Sequence, residues 1–477
     1  MKKSVYYSLL SAAAFSGLAG RSSGANNRQS PNVIIILLDD MGYGDLSVTG
    51  ALGYKTPNID RLCVEGMRFT QYYSAQAVSS ASRAGLLTGC YPNRIGFSGA
   101  LGPNAKVGIS DSEETIAQML KKKGYACGAF GKWHLGHHPQ FLPVHHGFDE
   151  YYGLPYSNDM WPHHPEAPKD YPSLPMIEGD KVVNPDVTAA DQTQLTTQYT
   201  ERAVRFIEKN KNKPFFLYLA HSMPHVPLFV SDKFKGKSAQ GLYGDVMMEI
   251  DWSIGEVLKA LKKNGLDKNT LVIFTSDNGP WLNYGNHAGS TGGLREGKAT
   301  VYEGGQRVPC LMRWTGKIPA GRICNQLMSA IDLLPTIAKF CDAPLPSLKI
   351  DGVDISALML GDETASPRKY FLYYYDVNNL KAVRNDRFKL VLPHTGRTYV
   401  GFLPGKDSQA GKVNNQNKEP LALFDLRRDP GERYDVQSMY PEVVAELMKV
   451  VEAARLDLGD DITGNKGTGR RPIGTLK

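Results

Sequence analysis

Several things are scarce in this 477-residue chain, and each absence narrows the possibilities. Its six cysteines (Cys63, Cys90, Cys127, Cys310, Cys324, Cys341) include no C-x-x-C pair. That excludes the zinc sites and redox dithiols built on this spacing. The wide separations leave both disulfides and buried free thiols open. H-E-x-x-H is also missing, so the helix-borne zinc site of metalloproteases is excluded. Basic residues form no concentrated stretch, and a formal charge of +7 is modest for this length. This argues against nucleic-acid binding and suits an anionic substrate. Internal repeats and low-complexity blocks are absent.

Long hydrophobic runs are lacking as well. Val5 to Ala19 is mostly apolar and small, but too short and weakly hydrophobic to span a membrane. Behind Lys2 and Lys3 it reads as a secretion signal cleaved between Gly20 and Ala25, so residues 1–24 are assigned to a signal peptide. Arg21 follows Leu18-Ala19-Gly20 where a bacterial lipoprotein box requires Cys. The expectation is an exported, periplasmic protein without lipid anchor or stable membrane insertion.

What is present describes a globular, loop-rich enzyme: 42% hydrophobic residues, 48 glycines and 29 prolines. Asn32 to Leu38, Pro214 to Ala220 and Thr270 to Thr275 are continuous apolar runs, as expected of strands buried on both faces. Ser112 to Lys123, Gln198 to Lys209 and Asp245 to Lys263 carry helical patterns between them. The alternation predicts an α/β fold: a large mixed, mostly parallel sheet sandwiched by helices, over residues 25–365. Residues 366–477 read as a smaller α+β domain. Its short antiparallel strands are Tyr370 to Tyr375, Leu380 to Val383, Phe388 to Leu392 and Leu421 to Leu426, and its helix is Pro441 to Leu456.

Polar residues follow the three buried strands: Asp39-Asp40, His221 to His225, and Asp277-Asn278. Open α/β sheets bind ligands at the carboxyl ends of their strands, so three strand ends point to one region. Three carboxylates and an amide form a hard oxygen donor set, suited to Ca²⁺ or Mg²⁺ rather than zinc. Ser79 stands at the start of a predicted helix with Ser82 and Arg83 in its first turn, where free N–H groups favour an anion.

The run Ser79-Ser80-Ala81-Ser82-Arg83-Ala84-Gly85-Leu86-Leu87-Thr88-Gly89 resembles the signature of the type I sulfatases, members of the alkaline-phosphatase-like superfamily. Gly131 to Gly136 resembles the family's G-K-W-H-L-G motif; His221 to Pro227 and Gly297 to Gly305 resemble two further ones. The resemblance extends from about Pro31 to Asp435. It implies that Ser79 is oxidised to formylglycine by a dedicated Ser-type maturation enzyme, since many members have Cys there. It implies a metal site of Asp39, Asp40, Ser79, Asp277 and Asn278. Arg83 would lie beside residue 79, while Lys132 and Lys298 bind sulfate. His134 would act on the aldehyde hydrate and His225 beside the leaving oxygen.

The implied activity is hydrolysis of sulfate esters on sulfated glycan sugars, exo-acting, of glycosaminoglycan or mucin type. An unmodified serine would form a sulfate ester with no easy exit. A hydrated aldehyde has a second hydroxyl that can expel sulfate. Tyr156 to His164 mixes aromatic and polar groups, and Asp159, His163 and His164 are candidates for a sugar-recognising rim. His137, His138, His145 and His146 are read as loop or rim residues. Gly292 to Lys298 fits G-x-x-x-x-G-K, but Ala299 replaces the metal-binding Ser or Thr of a P-loop. Two alternatives remain: a phosphatase or phosphodiesterase of the same superfamily using Ser79 unmodified, and an inactive sulfoglycan-binding relative.

Overall fold

The computed structural model describes residues 30–164 and 166–476. The signal-peptide reading for residues 1–24 falls outside them. The fold is organised around β1 (Asn32–Leu38), a strand in which all seven residues are buried. The main sheet adds β2 (Met67–Phe69), β3 (Ala126–Gly131), β4 (Glu150–Gly153), β5 (Met176–Glu178), β6 (Lys181–Asn184), β7 (Phe215–Ala220), β8 (Thr270–Ser276), β9 (Cys310–Arg313) and β10 (Arg322–Cys324). Their order is β10-β2-β9-β8-β1-β7-β3-β4-β5-β6. The central strands β8, β1, β7, β3 and β4 run parallel. Antiparallel pairs flank them on both sides.

Side chains alternate along a strand, so β1 feeds two cores. Val33, Ile35 and Leu37 pack with α2 (Ser79–Thr88), α3 (Ile116–Lys121) and α6 (Leu333–Cys341). Ile34, Ile36 and Leu38 pack with α1 (Pro57–Val64), α4 (Leu195–Lys209) and α5 (Leu242–Lys263). Each such aliphatic side chain contributes roughly 1.5–3 kcal/mol on full burial. Helices on both faces are therefore what the apolar run requires.

Some boundaries differ from the expectation. The helix expected from Ser112 begins at Ile116, because the capping pair is Thr115 and Gln118: the Thr115 hydroxyl accepts the Gln118 N–H at 3.2 Å, and the Gln118 side chain accepts the Thr115 N–H at 2.9 Å. α5 starts at Leu242, before Asp245, whose carboxylate anchors the preceding loop by accepting N–H groups of Gly236, Lys237 and Ser238. All six cysteines are free thiols.

The C-terminal region forms a four-stranded antiparallel sheet from β11 (Phe371–Tyr375), β12 (Asn379–Arg384), β13 (Phe388–Val391) and β16 (Ala422–Asp425), in that spatial order. Between β13 and β16 the chain makes a separate hairpin of β14 (His394–Thr398) and β15 (Asn414–Glu419), which the sequence pattern had not revealed. Helix α7 (Pro441–Asp457) packs Leu447, Val451 and Ala454 into the shared core. That core also takes Tyr73, Tyr302 and Ile331 from the larger unit. Beside it, buried Glu303 pairs with Lys389 at 3.3 Å and receives the Tyr373 hydroxyl at 3.0 Å. The two units are thus joined by apolar packing and a buried ion pair.

Candidate active site

The ends of β1, β3, β7 and β8 converge on the start of α2. Asp39 and Asp40 follow β1, Lys132 follows β3, His225 follows β7, and Asp277 and Asn278 follow β8. Ser79 is the first residue of α2, all of whose residues are buried. Its hydroxyl donates to Asp39 Oδ1 at 3.2 Å, and Lys132 Nζ lies 3.3 Å from the same hydroxyl.

Charge is balanced by direct pairing. Lys132 Nζ contacts Asp39 Oδ2 at 2.6 Å, and Lys298 Nζ contacts Asp40 at 2.8 Å. Arg83 donates to Asp277 Oδ2 through Nε and Nη2, at 3.0 and 2.8 Å, and through Nη1 to the Lys132 carbonyl at 2.9 Å. Burial works to raise the Asp39 pKa, but Lys132, His225 and Arg83 together hold it well below the usual carboxylate range. Burial lowers the Lys132 pKa, with Asp39 opposing. Burial also works to lower Lys298, yet Asp40 and Asp39 raise it overall.

The two histidines are held in defined tautomers. His134 Nε2 lies 2.9 Å from the Leu101 carbonyl, which can only accept, so Nε2 carries the proton. Nδ1 is buried without a hydrogen-bond partner. Burial and the charges of Lys132 and Arg83 keep the ring's pKa well below the ordinary histidine value, so it is a neutral base. His225 Nδ1 lies 2.5 Å from the Val226 carbonyl, leaving Nε2 to face Asp40 Oδ2 and the Ser157 hydroxyl, each at 3.5 Å.

The donor set fits a hard cation. Asn278 donates through Nδ2 to Asp40 Oδ1 at 2.7 Å, while its Oδ1 is buried and unpartnered, as expected of an oxygen awaiting a ligand. Asp39, Asp40 and His225 bring ligand atoms within 4.8 Å of one another. Asp277 Oδ2 is engaged by Arg83, and its Oδ1 accepts the Asp40 N–H at 3.2 Å.

Lys298 is positioned by the C-terminal unit. Tyr399 donates its hydroxyl to the Lys298 carbonyl at 2.6 Å. Two residues before Lys298, the Glu296 carboxylate accepts the Thr398 hydroxyl at 2.6 Å and the Tyr399 N–H at 2.9 Å. Glu296 and Ala299, flanking the lysine, have φ of 59° and 67°, a region that L-residues avoid. The lysine head also lies 4.4 Å from the centre of the Trp281 ring.

Comparison with known proteins decides what this arrangement is: the Sulfatase family model matches residues 31–343. The chain belongs to the sulfatase family. A second model, the C-terminal region of aryl-sulfatase, matches residues 366–468. Mouse N-acetylgalactosamine-6-sulfatase is 38% identical over 454 residues, covering 89% of this chain and 86% of the relative. Bovine arylsulfatase A is 37% identical, covering 89% of this chain and 87% of the relative. A solved Pseudoalteromonas sulfatase superposes with a TM-score of 0.80 at 29% identity, covering 94% and 92% of the two chains. A Bacteroides thetaiotaomicron structure, from a locus for metabolism of multiple glycosaminoglycans, has a TM-score of 0.77 at 30% identity, covering 90% and 99%. The protein is a sulfuric ester hydrolase with the alkaline-phosphatase-like fold.

In this sulfatase Ser79, Arg83, Lys132, His134, His225, Lys298, Asp39, Asp40, Asp277 and Asn278 lie together. The rim candidates are differently placed. His164 Nδ1 accepts the N–H groups of Glu166 and Ala167 at 3.1 and 3.0 Å, so it shapes its own loop. Asp159 is buried with Oδ1 unpartnered, and its Oδ2 lies 3.9 Å from His164. His163 is exposed, its ring 4.9 Å from that of Trp161. Ser157, Trp281 and Tyr399 escaped the sequence reading. Ser157 Oγ lies 3.3 Å from Lys132 Nζ, and only its place within the Tyr156 to His164 segment hinted at it.

Proposed function

We propose that this sulfatase removes sulfate from a terminal sugar of a sulfated glycan, of glycosaminoglycan or mucin type, with residue 79 as formylglycine and a bound Ca²⁺ (Mg²⁺ as substitute). The observation that carries this reading is the convergence around Ser79 of three cations, His134 with an unpartnered Nδ1, His225 with Nε2 beside Asp40, and an oxygen-rich donor set with one buried orphan oxygen. Similarity to N-acetylgalactosamine-6-sulfatase and to the Bacteroides structure supports the glycan class.

Asp39, Asp40, Asp277 and Asn278, with residue 79, would hold the cation, which supplies positive charge for the sulfate oxygens and the nucleophile. Once oxidised and hydrated, residue 79 supplies an attacking hydroxyl and a second hydroxyl through which the enzyme is released from sulfate. Lys132 and Lys298 bind the sulfate oxygens and take up their charge as the ester bond breaks. Arg83 fixes Asp277 and, at 3.5 Å, stands beside Asp39, so that the carboxylates stay ionised and in place. His225, when protonated at both ring nitrogens, donates from Nε2 to the leaving sugar oxygen while Nδ1–H stays bonded to the Val226 carbonyl, and His134 accepts a proton from residue 79 at Nδ1. Each of these acid–base roles is typically worth ~10²–10⁴-fold in rate. Asp159, His163 and His164 would border the sugar, and the protein would act after export to the periplasm, matured by a Ser-type formylglycine-generating enzyme.

Mass spectrometry of the Ser79 peptide from the native host, paired with sulfate release from sulfated hexosamines, tests this reading. An aldehyde-reactive residue 79 in active protein supports it. Unmodified serine in protein that turns over substrate refutes it and favours phosphoryl transfer. Unmodified, inactive protein that still binds sulfoglycan favours the binding-protein alternative.

A further inference from the structure

Beside the Lys298 segment, on the side of the C-terminal hairpin, lies a cavity of about 470 Å³, within the ~300–1,000 Å³ usual for ligand sites. Ala299, the residue after the sulfate-binding lysine, forms one wall. The rest comes from the C-terminal unit, including Tyr375, Asp376, Asn379, Arg397, Asn415 and Gln416. Amides and an aromatic face around a cation suit a sugar with an anionic substituent.

Arg397 gives the cavity its charge. It sits on β14, half-buried, and donates through Nε to the Asn415 side chain at 2.8 Å. Among the described residues it has no carboxylate partner, unlike the other cations near the site: Lys298 pairs with Asp40, and Lys381 pairs with Asp376 at 2.5 Å. The pairing with Lys381 also occupies the one carboxylate on the cavity wall. Arg397 lies close to the Tyr399 phenol, and Tyr399 is bonded to the Lys298 carbonyl. A continuous line therefore runs from the proposed sulfate-binding lysine through Tyr399 to Arg397, which lines the polar cavity. A guanidinium offers a planar fork of donors that matches a sulfate or a carboxylate.

We propose that this cavity is a specificity subsite in which Arg397 binds a second anionic group of the glycan, a sulfate or a uronate carboxylate, next to the sugar that loses its sulfate. The proposal rests on the sulfated-glycan reading above. It makes the enzyme a reader of local charge density: the Lys132–Lys298 centre takes the scissile ester, and Arg397 takes its anionic neighbour.

The test compares kcat/KM on three probes: a monosulfated neutral disaccharide, a disulfated one, and a monosulfated disaccharide carrying a uronate. Wild-type enzyme is expected to prefer at least one anionic probe over the neutral one, and which one it prefers identifies the group read. In Arg397→Gln that preference ratio is expected to fall about 10- to 100-fold, mainly through KM, the scale of a lost charge-assisted hydrogen bond. Arg397→Lys keeps the charge without the fork and should retain an intermediate ratio. Asn415→Ala removes the arginine's side-chain anchor and should lower the ratio in the same direction by less. Arg397 is half-exposed, and unchanged melting temperatures would separate this effect from unfolding. A preference ratio unaffected by Arg397→Gln, or wild-type enzyme indifferent to the second anion, overturns the subsite. Failure of wild-type enzyme to release sulfate from any probe instead overturns the underlying glycan reading.

Discussion

Glu296→Ala tests whether the C-terminal unit holds Lys298 in place. The Lys298 segment carries two L-residues at positive φ, Glu296 and Ala299, and each costs roughly 1–2 kcal/mol relative to ordinary backbone. The opposing grip includes two hydrogen bonds to the Glu296 carboxylate, from Thr398 and the Tyr399 N–H. Bonds to a charged group are worth ~1.5–3 kcal/mol each, so the two together match the strain they oppose. Removing the carboxylate leaves the Tyr399–Lys298 carbonyl bond and the Arg295 contacts with Glu432 and Glu419 from that unit, and the segment relaxes away from Asp40. If about 2 kcal/mol of the loss appears at Lys298, kcat/KM falls by about thirtyfold. The assay is steady-state hydrolysis of a simple aryl sulfate, which does not depend on sugar contacts. Ala299→Gly in the same background removes one strained position and should recover several-fold of the loss. If Glu296→Ala stays within twofold of wild type at unchanged folding, the clasp does not position Lys298.

Three other outcomes are expected. His225→Ala should cost ~10²–10⁴-fold on an alkyl sugar sulfate and much less on a nitroaryl sulfate, whose leaving oxygen needs no proton; equal losses on both would remove His225 as the acid. Treatment with EGTA should abolish activity and lower Tm, because a cation bound only by the folded state stabilises it; Ca²⁺ should restore both, and restoration by zinc alone would contradict the oxygen donor set. Burial pushes Asp45 up to about 7, so the folded state keeps a proton that the unfolded chain releases near 4. Stability should therefore decline as pH rises from about 4 to about 7, by at most about 1.4 kcal/mol per pH unit from this group. In Asp45→Asn that component of the decline should vanish in thermal melts across the same range; an unchanged slope would show that Asp45 is not its source.

Much of the site was legible because its chemistry sits next to strong local signals. Asp39-Asp40 and Asp277-Asn278 directly follow strands whose apolar runs admit no other reading, and strand ends in a parallel sheet gather at one edge. Ser79 and Arg83 belong to one helix start, so their neighbourhood was set within five residues. The two-faced burial of β1 was likewise implied by its unbroken apolar run. Tertiary structure alone decided which distant atoms meet. Ser157 faces Lys132 and His225 from a loop whose composition drew attention to Asp159, His163 and His164 instead. Tyr399 and Arg397 lie about a hundred residues beyond Lys298, on a hairpin with no clear strand pattern of its own. Cysteine spacing was equally silent, since free thiols and disulfides differ only in where packing puts the sulfurs. Periodicity and capping act over a few residues and are written into the chain, whereas contacts between separate elements depend on how two helix layers and a second domain pack against one sheet.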